Sequence, residues 1–147
     1  MEDQSCSVGY HLKRLLQHGS YPISPEGKLD AALYGSQVAA LFNQVQLAET
    51  GADFSCTSLG NDPVGLASPV TMQGVTAAYL FANTLVVLEV TEEVLRQTLE
   101  RCAAYFTLVD GQPQISEEFL LPKVERYNYD FYAGLAYPFD LRRPVGR

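Results

Sequence analysis

Residues 79–100 read "YLFANTLVVLEVTEEVLRQTLE", and their reading decides the fold. Leu85–Val90 is an apolar, β-branched run with one acid, Glu89, and predicts a buried strand. Thr91 is placed to cap a helix. Glu92 and Glu93 suit its first turn, where the helix dipole favours negative charge. Leu95, Leu99 and Cys102 then fall at i, i+4 and i+7, one face of that helix. Phe81 and Asn83 stand just before the strand, which needs neither of them.

Upstream, Ser36 predicts an N-cap, and Val38, Leu41, Phe42 and Val45 recur at helix spacing with Gln37, Asn43, Gln44 and Gln46 elsewhere. Gly51 suits the left-handed position that ends such a helix. "ADFSCTSL" reads as a strand with Phe54, Cys56 and Ser58 on one side, and "GNDPVGLASP" as a turn-rich loop. Thr71 can cap a second helix, "MQGVTAAYLF", which Gly74 weakens. At the N-terminus, residues 8–18 suit a short helix with Tyr10, Leu12, Leu15 and Leu16 partly buried, and "GSYPISPEG" a loop. Downstream, "YFTLVDGQPQIS" predicts a hairpin turning at Asp110-Gly111. "EEFLLPKVE" is a connector broken by Pro122. Tyr127, Tyr129 and Phe131 have strand period, and Leu135, Tyr137 and Phe139 continue it after Gly134. Interleaved helices and strands point to an α+β domain with mixed β-sheet flanked by helices. We divide it as a loosely assigned N-terminal segment, 1–34, and a domain over 35–147.

A chain of 147 residues suits one domain, and 47% hydrophobic with 18% charged residues is enough to bury a core. No run of 18 apolar residues exists, so no membrane span is expected. "MEDQSCSVGY" is acidic and lacks the apolar stretch of a secretory signal. A net charge of −7 without a basic stripe argues against polymeric nucleic acid, because neutralising phosphates supplies most of that affinity. Arg142, Arg143 and Arg147 read as a solvated C-terminal group. Three cysteines make no disulfide framework; Cys56 and Cys102 read as core thiols. Cys6, His11 and His18 match no common metal spacing, so no metal or catalytic group is expected in this chain.

The order helix, "TGADFSCTSLGND", "VTMQGVTAAYLFANTLVVLEVTEEVLRQTLE" and "YNYDFYAGLAYPFDLRRPVGR" resembles the C-terminal domain of the 5′-nucleotidase family. The resemblance runs from about Gln37 to Arg147. Its specific pieces are "TGAD" between helix and strand, Thr71 opening a short helix that ends in an aromatic before Asn83-Thr84-Leu85, and the strand–Thr–Glu–Glu–helix unit. The last piece is "YNYD" followed by Gly134, Tyr137, Asp140, Pro144, Gly146 and Arg147. "NQVQLAETGAD", "ANTL" and "YNYD" look closest to the 2′,3′-cyclic-nucleotide 2′-phosphodiesterase/3′-nucleotidase branch.

The resemblance implies a two-domain hydrolase whose N-terminal metallophosphoesterase domain holds divalent metals and the catalytic groups. It implies that the C-terminal domain binds the nucleoside or nucleotide. Nothing in this sequence resembles the metal domain, so the expectation is recognition without chemistry. Periplasmic, cell-wall or secreted bacterial enzymes are the implied setting. The family's aromatic–x–Asn element maps to Phe81 and Asn83: the ring stacks on the base and the amide meets its edge. An aromatic face gives roughly 1–3 kcal/mol per stacked base, and Asn offers both a donor and an acceptor. Read from the residues alone, Phe81 is a core residue of the preceding helix and Asn83 a turn former. "SLGNDPVG" matches the place of an Asn-x-Gly-Gly-x-Arg motif for ribose and phosphate. Ser58, Gly60 and Asn61 remain there, and Pro63 stands in the arginine's place. Asn61 and Asp62 can reach a ribose hydroxyl or form a plain Asx turn. A second aromatic clamp lies nearer the family's C-terminus than Arg147, so the chain reads as truncated. A ligand-free structural or protein-interaction module that keeps the fold is the other reading.

Overall fold

The computed structural model describes residues 22–81 and 83–146. The helix expected over residues 8–18 lies outside the described residues.

Helix α1, Lys28–Tyr34, opens the described fold between Gly27 and Gly35. It was not expected, and it lies in the segment assigned loosely. Seven residues between a proline-rich loop and a glycine carry too little periodicity to be read, yet Ala31 is fully buried. Helix α2, Gln37–Thr50, follows as expected. The Ser36 side chain accepts from the Ala39 amide, and Gly51, at φ 66°, closes the other end. Val38, Leu41, Phe42 and Val45 are all buried. Asn43, read as a polar-face residue, is buried as well. Its Nδ2 donates to the Phe131 carbonyl at 2.8 Å, and its Oδ1 accepts from Ser55 Oγ at 3.0 Å. The helix therefore joins the sheet through an amide as well as through its apolar face.

Strand β1, Ser55–Ser58, pairs antiparallel with β4, Asp130–Ala133, with Cys56 opposite Tyr132. Gly134 ends β4 at φ 87°, where a Cβ would collide with the Asp53 carbonyl, so no other residue fits this close approach. The face of β1 differs from the reading. Ser55 and Thr57 turn partly inward, while Cys56 and Ser58 are exposed; Cys56 is thus not a core thiol. Cys102 is buried as expected.

Helix α3, Met72–Ala78, is capped by Thr71 onto the Gly74 amide and stops at Tyr79, short of the expected Phe81. Helix α4, Glu92–Ala103, is capped by Thr91 onto the Val94 amide. Strands β2, Phe106–Val109, and β3, Gln112–Ile115, form the expected hairpin. Asp110 and Gly111 both have positive φ, 51° and 75°, as a two-residue type I′ turn requires. A 3₁₀ turn, Glu117–Phe119, then drives Phe119 into the core. There Tyr105 meets Phe119 at 5.0 Å and Tyr129 at 4.9 Å, and Tyr129 meets Phe131 at 5.0 Å. This aromatic chain ties the hairpin to β4.

The main correction concerns Leu85–Val90. It runs without turn or bend, but it pairs with no strand among the described residues. Val86 and Leu88 are 68% and 72% exposed. The run has the composition of a buried strand and lacks the neighbour that would make it one.

Candidate functional site

The exposed end of β1 and the loop after it meet the chain that leaves α3. Between them lies a cavity of about 60 Å³, with Ser58, Gly60 and Asp62 from one segment and Tyr79, Phe81 and Asn83 from the other. Each wall has a local cause. Tyr79 is the C-cap of α3, and its ring packs edge-on against Phe42 of α2 at 5.2 Å, which fixes where the helix stops. Beyond it the Asn83 amide donates to the Phe81 carbonyl at 2.8 Å, holding the two residues in one short segment. Phe81 is 67% exposed, so its ring is not a core element of the preceding helix.

Three of the four residues singled out in the sequence, Ser58, Phe81 and Asn83, therefore line one cavity. Asn61 does not. Its Nδ2 donates to the Val124 carbonyl at 3.1 Å, which turns the side chain to the opposite side of the loop, and its Oδ1 is buried without a partner.

Lys28 was missed entirely, since nothing in the sequence marks it. Its Nζ donates to the Leu59 carbonyl at 2.8 Å, so the cavity loop is held from behind by α1. Burial first, then the nearby Arg126 guanidinium, lowers the Lys28 ammonium to about 8, with Asp62 opposing them. The cavity thus has a stacking face, a two-way amide, a hydroxyl and a pinned loop. That set suits a flat, polar-edged ligand. Cys56 is exposed, but partial burial and then Asp130 raise its thiol above the ordinary value, which disfavours a thiolate.

No group of three or more His, Cys, Asp or Glu side chains able to hold a metal ion occurs among the described residues. The divalent metals implied by the resemblance therefore have no donor set there. No helix among the described residues is long and apolar enough to cross a membrane.

Fold and cavity together define a small α+β domain with two two-stranded antiparallel sheets, carrying a shallow cleft at the end of β1. The profile of the family "5′-nucleotidase, C-terminal domain" matches residues 12–147. The chain belongs to that family.

A 2′,3′-cyclic-nucleotide 2′-phosphodiesterase/3′-nucleotidase from Haemophilus influenzae is 31% identical over 100 residues, 65% of this chain and 15% of that protein. The crystal structure of a Staphylococcus aureus protein assigned as a 5′-nucleotidase, in complex with alpha-ketoglutarate, superposes with a TM-score of 0.78 at 31% identity. It matches 92% of this chain and 28% of that one. The chain spans less than a third of the length of either relative.

Proposed function

We propose that this chain is the nucleoside- or nucleotide-recognition domain of a metal-dependent nucleotide phosphoesterase, of the 5′-nucleotidase or 2′,3′-cyclic-nucleotide 2′-phosphodiesterase type. The observation that carries the reading is the convergence of Ser58, Phe81 and Asn83 on one cavity. In this reading the base stacks on Phe81, its edge exchanges hydrogen bonds with Asn83, and Ser58 meets a ribose hydroxyl. Hydrolysis belongs to an N-terminal metallophosphoesterase domain with divalent metals, and this chain alone is inactive. The enzyme works in the periplasm, in the cell wall or outside a bacterial cell.

Titration of the isotope-labelled chain with adenosine and uridine tests the reading. Weak binding is expected, with shifts centred on Ser58, Phe81 and Asn83, because a cavity of about 60 Å³ encloses only part of a nucleoside. Turnover of 2′,3′-cyclic AMP or 5′-AMP by the chain with Mn²⁺ would overturn the recognition-only assignment.

One observation favours the second reading, a structural or protein-interaction module without a ligand. A cavity of about 60 Å³ is far below the several hundred Å³ of ordinary ligand pockets. Unchanged resonances at Phe81 under millimolar nucleoside would select it.

A further inference from the structure

We propose that Lys28 is a positioning residue for the cavity: its hydrogen bond to the Leu59 carbonyl holds the loop Leu59–Val64 in the shape that receives the ligand. The inference rests on the recognition reading above. Leu59, Gly60, Asp62, Pro63 and Val64 all line the cavity. The segment 23–28 grips this loop at both ends. The Ile23 amide donates to the Leu66 carbonyl and the Leu66 amide to the Ile23 carbonyl, each at 2.8 Å. Lys28 Nζ donates to the Leu59 carbonyl, also at 2.8 Å. Between these grips Glu26 accepts from the Ser36 hydroxyl and the Gln37 amide, each at 3.1 Å, at the start of α2. That helix lines the same cavity with Val38 and Phe42. The segment therefore ties two linings of the cavity, loop and helix, to each other.

Lys28 stands out among these grips because it is a buried ammonium. Burying that charge is costly, and an apolar side chain would pack there without the cost. What the charge supplies is a strong hold on one carbonyl. A peptide unit is rigid, so fixing the Leu59 carbonyl also fixes the Gly60 amide on the cavity loop. The hold responds to pH. Burial and the Arg126 guanidinium bring the ammonium down to about 8, while Asp62 of the loop itself opposes them. Glu26, the acid of the gripping segment, is engaged by Ser36 and Gln37. Below about 8 the bond to Leu59 is charge-assisted, and above it a neutral amine makes a weaker one. Ligand affinity should therefore fall as pH rises through about 8.

The probe is adenosine, which is uncharged over the range tested, so the profile reads the loop and not attraction between ligand and ammonium. Isotope-labelled wild type and Lys28→Met are titrated at steps from about pH 6.5 to about pH 9.5, on either side of the lysine. The amides of Gly60, Asn61, Asp62 and Val64 are followed over the same steps without ligand. Wild-type affinity should fall about threefold or more with a midpoint near 8, and the ligand-free loop amides should shift with that midpoint. Lys28→Met should bind about threefold or more weakly than wild type at the low end and show no such step. It should keep the wild-type amide-exchange pattern in α2 and β4. A flat wild-type profile, equal affinity in the two proteins, or a step that persists in Lys28→Met overturns the proposal. Loop amides that titrate near 8 in a wild type that binds no adenosine at any pH would show instead that the recognition reading has failed, and the positioning role falls with it.

Discussion

Helix α2 and the run Leu85–Val90 are both apolar and both readable, yet they finish in opposite environments. Val38, Leu41, Phe42 and Val45 are buried, while Val86, Val87 and Leu88 stand in water. The helix closes its own backbone hydrogen bonds and needs only a surface to lie on, which β4 and Ser55 supply. A strand completes neither its hydrogen bonds nor its burial alone. Apolar composition thus specifies burial only where a partner lies alongside, and among the described residues the run has none.

The contrast can be broken most sharply in the aromatic core. Phe119→Ala removes a fully buried ring packed on Tyr105 and crossed by the Arg101 guanidinium at 4.3 Å. A loss of about 3–5 kcal/mol is expected by denaturant unfolding. Next comes Asn43→Ala, which strips the Phe131 carbonyl of its side-chain amide donor and leaves the Ser55 hydroxyl only the backbone carbonyl of residue 43. It should cost about 1–3 kcal/mol by the same measurement. The corresponding change in the exposed run, Val87→Thr, should fall within about 0.5 kcal/mol of zero. A large loss there would mean that the run is covered after all.

A pH-dependent effect separates Lys28 from both regions. Its ammonium sits near 8 in the fold and near 10.5 when unfolded, so between those values the unfolded chain binds more protons. Stability should therefore rise with pH from about 8 toward 10 through this group. Burial raises Tyr105 and Tyr132 to about 12, so above pH 10 the unfolded state loses protons first and stability should fall again. Melting curves of wild type and Lys28→Met check this: the rising limb should vanish in the variant and the falling limb remain.

Legibility followed the range of the interactions. Ser36, Thr71 and Thr91 each cap an amide three residues on, and Asp110-Gly111 turns a hairpin by its own φ angles. Those signals are local and were read. The burial of Asn43 depends on a carbonyl 88 residues away, and the orientation of Asn61 on one 63 residues away. Neither can be seen in a window of sequence. Cys56 was placed inside because alternation gives two faces of β1 without saying which one α2 covers. Phe81, Asn83 and Ser58 were singled out through the family resemblance and line one cavity, while Lys28 behind the loop carried no signal.

The central claim is that Phe81 is a stacking surface for a nucleobase. Chemical-shift titration of adenosine into wild type and Phe81→Ala, at matched salt and pH, tests it directly. The account predicts weak saturable binding by the wild type, loosened roughly 5- to 150-fold by the substitution, which is the loss of one stacked base. Equal affinity in the two proteins, or shifts that bypass Ser58 and Asn83, would contradict it.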